Sequence, residues 1–233
     1  MTNNEISLQT IQEGYNQIAT YIKKTPLVRS NSLSEKCGGE VYLKLENTQL
    51  TGTFKVRGAL NKILGLSEQE RQAGVVTASS GNHAQGVALA SQILNVEATI
   101  FVPKLVSSLK LEKLRKYNIT VKMSEEFNQV EPDARRYAQE NEATYVSPYN
   151  DYAVMAGQGT IALELEQEID QYDSVVVPVG GGGLISGIAA GVKHLHPKCQ
   201  VHGVVTPGAA TLYWSFKAGR LVEVKEFDTL ADA

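Results

Sequence analysis

The 233-residue sequence is 42% hydrophobic and 20% charged, with a formal net charge of −3 at pH 7. Such a composition is typical of a globular chain that buries a core, and the slightly acidic balance excludes electrostatic support for a nucleic-acid partner. A signal peptide or an apolar run long enough to span a membrane is not recognisable, which favours a cytoplasmic protein. The two cysteines, Cys37 and Cys199, lie far apart without metal-site spacing, which favours free thiols in a reducing compartment.

Strand-like and helix-like patterns alternate along the chain. The strand-like runs cover residues 41–45, 75–77, 98–102, 119–122, 174–179 and 201–205. Helical patterns cover residues 54–66, 109–117 and 132–142, and another begins at residue 184. Because strands separated by helices form parallel βαβ units with right-handed crossovers, the predicted fold class is α/β, with mostly parallel sheets covered by helices.

The first candidate site lies at the start of the helical pattern 54–66, just after Thr51 and Thr53, which are good N-cap residues. Lys55 falls in the first turn, where a cation opposes the helix dipole. By itself, such a residue is most often an ordinary solvated lysine. A lysine held at a helix start in a dry pocket loses its proton more easily, however, and Schiff-base chemistry requires a neutral amine.

The second candidate site follows the strand-like run 75–77. Residues 79–82 (Ser-Ser-Gly-Asn) open the next helical pattern, where hydroxyl, amide and backbone donors together suit a carboxylate ligand. His83, taken alone, is typical of a helix surface, and a serine here is equally typical of a helix cap. The residue order of a Ser–His–acid hydrolase is not recognisable around them.

The third candidate site is the run of four glycines at 180–183, between the strand-like run 174–179 and the helical pattern that begins at Leu184. Without Cβ atoms, backbone N–H groups converge closely on an anion, and the following helix adds its partial positive charge. The spacing matches neither a P-loop nor a dinucleotide fingerprint. The pattern predicts an anion site, although a glycine-rich turn that only permits tight packing has the same sequence.

Taken together and in this order, the three sites resemble those of the pyridoxal-phosphate-dependent serine/threonine dehydratase and serine racemase family, of fold type II and similar to tryptophan synthase β. Matching motifs also stand at 25–27 and 155–160, and the resemblance extends to Ala231 and Asp232. It implies two open, twisted, mostly parallel sheets flanked by helices, with the cofactor in the interdomain cleft. It also implies a small domain at 74–148 and a large domain formed by 1–73 and 149–233.

The resemblance further implies a role for each matching position. Lys55 corresponds to the catalytic lysine that holds pyridoxal 5′-phosphate as an internal aldimine. The other positions implied to contact the cofactor are Phe54, Asn82 at the 3′ oxygen, and Gly180, Gly181, Gly182, Gly183 and Leu184 around the phosphate. The positions implied to surround the carboxylate of a small amino-acid substrate are Ser79, Ser80, Gly81 and His83.

The activity implied by the resemblance is that of an ammonia-lyase, which removes water from L-threonine, L-serine or a related small hydroxy-amino acid and yields a 2-oxo acid and ammonia. Serine racemisation stays open, because Ser80 occupies the position of the second catalytic acid–base group in racemase-like members. A truncated, non-catalytic chain also stays open, since family members continue well past the equivalent of Ala233. The full-length form is expected to be a homo-oligomer, either a dimer or a tetramer.

A metal ion is not expected. Racemase-like members carry an acidic residue for a divalent cation after the sixth strand, and Thr206 stands at that position here. His194 and His196 run into Pro197 at a helix end, where histidines favourably face the helix carbonyls. Residues 103–108 are similar to a dehydratase branch used in hydroxyectoine breakdown, which leaves the native substrate open.

Overall fold

The computed structural model describes residues 5–225, 227, 229 and 230. Ala231 and Asp232, to which the resemblance extends, lie outside the described residues. The described helices are α1 (Leu8–Ile18), α2 (Asn31–Cys37), α3 (Lys55–Leu64), α4 (Glu68–Ala73), α5 (Asn82–Leu94), α6 (Ser108–Leu114), α7 (Val130–Glu140), α8 (Tyr152–Glu166), α9 (Gly183–Leu195) and α10 (Thr211–Ala218). The described strands are β1 (Leu27–Arg29), β2 (Tyr42–Lys44), β3 (Val75–Ala78), β4 (Ala98–Pro103), β5 (Thr120–Ser124), β6 (Thr144–Tyr145), β7 (Ser174–Pro178) and β8 (Gln200–Val204).

Hydrogen bonds group these strands into a four-stranded sheet and two strand pairs. The larger sheet has the order β5-β4-β3-β6, and all its neighbours are parallel, with Val75 opposite both Ala98 and Thr144. Strands β7 and β8 form a parallel pair, whereas β1 and β2 are antiparallel. The α/β class predicted from the sequence is confirmed.

The structure refines the sequence prediction in two respects. All six predicted strands are present, each within two residues of its predicted bounds. The second predicted sheet instead consists of two separate pairs, of which β1–β2 is antiparallel and β7–β8 is parallel. Strands β1 and β6 were not predicted, since two or three residues are too few for a recognisable pattern.

Close helix packing brings the parts of the site together. Helix α8 packs between α3 and α9, and its glycines allow backbone to meet backbone: a Cβ on Gly157 would come within 2.7 Å of the Arg57 carbonyl oxygen in α3. A Cβ on Gly159 would come within 2.8 Å of the Gly187 carbonyl oxygen in α9. The N-terminal ends of α3 and α9, which carry two of the candidate sites, are therefore held on one central helix.

A buried ion-pair network anchors the first turn of α3. Arg57 is fully buried and bonds Glu164 of α8 through Nη1 at 2.6 Å and Glu46 through Nε at 2.8 Å. Lys44 of β2 adds a second cation 2.8 Å from Glu164. Burial alone would raise the pKa of Glu164, but hydrogen bonds and charges from Arg57 and Lys44 outweigh it and hold the pKa below its ordinary value. The network connects α3 to α8 two residues after Lys55.

Within the described part of the chain, no helix is both long and apolar enough to cross a membrane. Both cysteines are free thiols: Cys37 is exposed and Cys199 is buried. The division into domains at 73/74 and 148/149 stays a prediction.

Candidate active site

Lys55 is the first residue of α3 and lies in a confined position. The hydroxyl oxygen of Thr53 accepts a hydrogen bond from the Lys55 backbone N–H at 3.2 Å. The side-chain Nζ donates to the carbonyl oxygen of Pro148 at 2.9 Å. Burial lowers the pKa of Lys55 to about 8. A much larger share of this amine is therefore neutral near physiological pH than is usual for a lysine, whose ordinary pKa is about 10.4.

Helix α5 lies directly against the backbone of Lys55. The contact is at Gly86, where a Cβ would come within 3.0 Å of the Lys55 carbonyl carbon and 3.1 Å of its carbonyl oxygen. Gly86 is one turn into α5, so its close approach brings the N-terminal end of that helix beside the lysine. Gly86 was not among the predicted site residues. A glycine inside a helical pattern was the available signal, because it costs helix stability unless the backbone must approach a neighbour.

Residues 79–82 form the polar turn between β3 and α5, as the sequence predicted. The Ser79 hydroxyl oxygen accepts a hydrogen bond from the Gly81 backbone N–H at 3.2 Å. Gly81 is the N-cap residue and Asn82 the first residue of α5. Ser79, Ser80, Gly81 and Asn82 are all partly exposed, so their donors are accessible at a helix N-terminus.

His83 is placed differently from these four residues. Its side chain is buried, and its Nε2 lies 3.1 Å from the carbonyl oxygen of Val146, while Nδ1 has no hydrogen-bond partner in the described part of the chain. Burial, with a smaller effect from the Lys55 charge, lowers the pKa of His83 to about 3. The ring is therefore neutral, and Nε2 carries the proton that is donated to Val146. The role of His83 at the substrate carboxylate stays a prediction. In the structure, its ring holds the segment that begins at Val146 through this hydrogen bond.

The glycine loop links β7 to α9. Gly182 is in the left-handed region with φ 87°, a conformation that favours glycine, and it precedes the first residue of α9, Gly183. The first N–H groups of α9 have no acceptor inside their own helix. Leu184 follows as the second residue of α9 and packs on the apolar cluster that includes Val177 and Ile188. The loop therefore offers backbone donors at the positive end of a helix.

Phe54 is the N-cap residue of α3 and packs against the same apolar cluster as Leu184. The centre of its ring lies 5.3 Å from the Nζ of Lys55. Phe54 therefore borders the lysine on one side, and its position agrees with a flanking role. The assignment of individual site residues to the cofactor and substrate stays a prediction.

Pro148 and Tyr149 lie between the lysine and the glycine loop, and neither was a predicted site residue. Pro148 accepts the hydrogen bond from Lys55, and the backbone of Tyr149 lies against Gly183, where a Cβ would be 2.8 Å from the Tyr149 Cα. The sequence gives no local signal for these contacts, since both join residues distant in the chain. Lys55 and the loop at 180–183 thus contact the same two-residue segment from different sides.

The residues present fit pyridoxal phosphate, the cofactor that the resemblance implies. A lysine with a lowered pKa suits bonding to an aldehyde, and a loop without Cβ atoms at the start of α9 suits a phosphate. Neutral, buried His83 adds no competing positive charge near Lys55. In the described residues, no group of three or more histidine, cysteine, aspartate or glutamate side chains is arranged to hold a metal ion.

Comparison with known proteins gives a consistent result. Residues 18–233 match the family model described as "Pyridoxal-phosphate dependent enzyme". The chain is 45% identical to the L-threonine ammonia-lyase of Thermotoga maritima, in a match that covers 97% of this chain and 57% of the relative. It is 43% identical to the catabolic L-threonine dehydratase of Staphylococcus aureus, with 100% of this chain and 70% of the relative covered.

Among solved structures, maize serine racemase superposes with a TM-score of 0.92 at 34% sequence identity. That match covers 97% of this chain and 69% of the racemase. The chain thus spans somewhat more than half to about two thirds of the length of these three proteins.

Proposed function

We infer the activity from one premise, which is that this chain belongs to the pyridoxal-phosphate dependent enzyme family. It has the fold type II architecture, and its cofactor is pyridoxal 5′-phosphate. We propose that it is an ammonia-lyase that converts L-threonine, L-serine or a related small hydroxy-amino acid into a 2-oxo acid and ammonia. The relatives at 45% and 43% identity, named as an L-threonine ammonia-lyase and an L-threonine dehydratase, support this substrate class.

The observation that carries the proposal is the position of Lys55, partly buried at the start of α3 with its pKa lowered to about 8. In the proposed site, Lys55 binds the cofactor covalently, and the backbone N–H groups from Gly180 to Leu184 hold the phosphate. When bound, pyridoxal phosphate supplies a ring that takes up negative charge from the substrate. Phe54 and Asn82 border the cofactor at the ends of α3 and α5.

Lys55 is also the proposed acid–base group. When not bonded to the cofactor, Lys55 would present a neutral Nζ that takes the proton from the substrate Cα. Because a catalytic pKa is most effective near the working pH, a pKa of about 8 suits this transfer far better than the ordinary value near 10.4. The Cα proton and the β-hydroxyl together account for the one molecule of water that is lost, and one molecule of water then hydrolyses the remaining carbon–nitrogen bond to release ammonia and the 2-oxo acid.

The substrate carboxylate is proposed to bind at the start of α5. Ser79, Ser80 and Gly81 are partly exposed there, and the helix N-terminus favours a negative charge. Because α5 packs on the Lys55 backbone through Gly86, a carboxylate bound at this turn places its own Cα near the lysine. This packing would orient the Cα–H bond of the substrate toward the Nζ of Lys55.

Serine racemisation is a second candidate, supported by one residue and one structural match. Racemisation needs a second acid–base group, and Ser80 is the proposed one, at a partly exposed position next to the α5 N-cap. Maize serine racemase shares the fold at 34% identity. The higher identity to the ammonia-lyase and the dehydratase favours elimination as the main reaction.

The proposed activity is tested by incubating the purified chain with pyridoxal phosphate and L-threonine. We expect 2-oxobutanoate and ammonia in equal amounts, and L-serine should give pyruvate. Lys55→Ala should abolish both products, whereas Lys62→Ala, on the same helix but paired with Asp151 near the surface, should retain them. If no hydroxy-amino acid yields a 2-oxo acid in a cofactor-dependent way, the proposal is wrong.

A cytoplasmic location and a homo-oligomeric full-length form are part of this proposal. The free thiols of Cys37 and Cys199 support a reducing compartment. Gel filtration with light scattering would measure the oligomeric state.

A further inference from the structure

Residues 146–149, which we call the linking segment, are held at their N-terminal end by three hydrogen bonds. The backbone N–H of Val146 donates to the carbonyl oxygen of Val76 at 2.8 Å. Its carbonyl oxygen accepts from the Thr77 hydroxyl at 2.8 Å and from Nε2 of His83 at 3.1 Å. The segment therefore leaves β3 and α5 in a defined direction, toward Lys55 and the glycine loop.

The other end of the linking segment contacts both cofactor-binding features at consecutive residues. Pro148 accepts the 2.9 Å hydrogen bond from Lys55. The side chain of Tyr149 occupies the space beside Gly181, where a Cβ would be 2.9 Å from the tyrosine Cβ and closer still to its ring. Gly183 meets the Tyr149 backbone, at 2.8 Å from Cα and 3.1 Å from the carbonyl oxygen. These contacts leave no room for a side chain at Gly181 or Gly183.

Charges on α7 act on the Tyr149 hydroxyl. Burial raises the pKa of Tyr149, the charge of Glu131 raises it further, and the charge of Arg135 opposes this. The hydroxyl is therefore protonated at neutral pH and lies within the electrostatic reach of α7.

We propose that Tyr149 is a positioning residue for the cofactor site, which sets the separation between Lys55 and the phosphate-binding loop. The inference rests on the cofactor part of the proposed function and not on the reaction. Since the loop's own residues have no side chains, its position depends on what packs against it, namely Tyr149 at Gly181 and Gly183 and Leu212 at Gly182. Without the ring, the loop is free to shift relative to Lys55, and the cofactor binds less tightly.

This account predicts a specific coupling between Tyr149 and Gly181. In the parent chain, Gly181→Ala places a methyl group against the ring and displaces the loop. In a Tyr149→Ala background the ring atoms are gone and only the alanine Cβ, 2.9 Å away, remains, so the same Gly181→Ala change costs less. If Gly181 served only to let its backbone approach the phosphate, the loss of cofactor affinity on Gly181→Ala would be equal in both backgrounds. Residues in contact show such non-additivity, whereas independent ones do not.

The test is a double-mutant cycle read as the dissociation constant of pyridoxal phosphate, titrated by absorbance into the cofactor-free protein. We expect Tyr149→Ala and Gly181→Ala each to weaken binding about tenfold, and the second change to add less than about threefold to the first. Tyr149→Phe, which keeps the ring, should bind within about twofold of the parent. Tyr152→Ala is the matched control, because that tyrosine is similarly exposed but lies at the start of α8 away from the loop.

Several results would overturn the inference. These are an unchanged dissociation constant in Tyr149→Ala, a Gly181→Ala penalty of equal size in both backgrounds, or a parent chain that binds no pyridoxal phosphate. Thermal unfolding checks that each variant folds, and Tyr149→Ser, whose single atom beyond Cβ rotates away from Gly181, replaces Tyr149→Ala in the cycle if the latter does not. A parent that binds the cofactor but releases no 2-oxo acid contradicts the proposed reaction and leaves this inference to be decided by the cycle.

Discussion

The side-chain amine of Lys55 donates a 2.9 Å hydrogen bond to the carbonyl oxygen of Pro148. The bond gives the amine a defined position, while burial keeps its pKa near 8. A lysine in this environment exchanges readily between its charged and neutral forms at neutral to mildly alkaline pH. This is the property that covalent binding of an aldehyde and removal of a proton from carbon both require.

The lowered pKa of Lys55 is measurable without catalysis. In cofactor-free protein, the rate at which an acylating reagent modifies Lys55 should rise with pH to a midpoint near 8, because only the neutral amine reacts. Peptide mass spectrometry across a pH series gives this midpoint. Lys62, on the same helix and paired with Asp151, serves as the internal control that the reagent is active in each sample. A Lys55 midpoint at the ordinary lysine value of about 10.4 would contradict the lowered pKa.

Gly86→Ala should destabilise the protein, although alanine ordinarily stabilises a helix interior by about 0.5–1 kcal/mol relative to glycine. The added Cβ would lie 3.0 Å from the Lys55 carbonyl carbon, and backbone cannot move aside as a side chain can. We expect a loss of about 1–3 kcal/mol in the free energy of unfolding, measured with urea. Gly39→Ala, with no atom within 4 Å of the new Cβ, should change it by no more than about 0.5 kcal/mol. A stabilised Gly86→Ala variant would show that α5 does not press on Lys55.

Glu164→Gln tests the buried network under α3. Removing one charge leaves Arg57 and Lys44 without a shared carboxylate, and breaking a buried pair costs about 3–5 kcal/mol. Because the pKa of Glu164 is lower in the folded protein than when unfolded, its contribution is present above the unfolded value of about 4.3 and is lost as the pH falls through the folded value. The free energy of unfolding should therefore fall less steeply with decreasing pH in the variant than in the parent.

Urea unfolding from pH 7 to pH 3 measures both effects of this substitution. Glu131→Gln, which removes an exposed pair with Arg135 on α7, is the matched control and should cost no more than about 1 kcal/mol. If the free energy of unfolding fell equally steeply toward pH 3 in the parent and in Glu164→Gln, the assigned direction of the pKa shift would be wrong.

Ser80→Ala separates elimination from racemisation. If Ser80 is the second acid–base group, the variant should lose D-serine formation from L-serine and keep most of its pyruvate release, which requires only Lys55. If Ser80 only binds the carboxylate, both rates should fall together, because ground state and transition state lose the same contact. Chiral chromatography and a pyruvate assay on one reaction mixture distinguish the two results. A parent enzyme that makes no D-serine removes the racemase candidate.

The parts of this protein that were predictable from the sequence are those encoded within a few neighbouring residues. The strand before Gly180, the four glycines and the helix after them stand side by side in the sequence, and the structure has the same order. The turn at residues 79–82 was predictable for the same reason.

The contacts that complete the site were not predictable, because they join residues far apart in the chain. Pro148 and Lys55 are separated by 93 positions, and neither residue type indicates the other. The burial of His83 has the same origin. Its sequence position is typical of a helix surface, and its burial depends on contact with the distant residue Val146. Long-range packing decides which polar groups are exposed at the candidate site, and short sequence motifs carry no information about it.

The central claim, that Lys55 holds pyridoxal phosphate, is tested most directly by borohydride reduction of the cofactor-loaded protein followed by peptide mapping. Reduction makes the lysine–cofactor bond permanent, so mass spectrometry identifies the attached residue without any assumption about the reaction. The account predicts one modified peptide, which carries the pyridoxyl group on Lys55, and no modification in Lys55→Ala. A label on Lys44 or Lys62, or no stable label on any lysine, would contradict it.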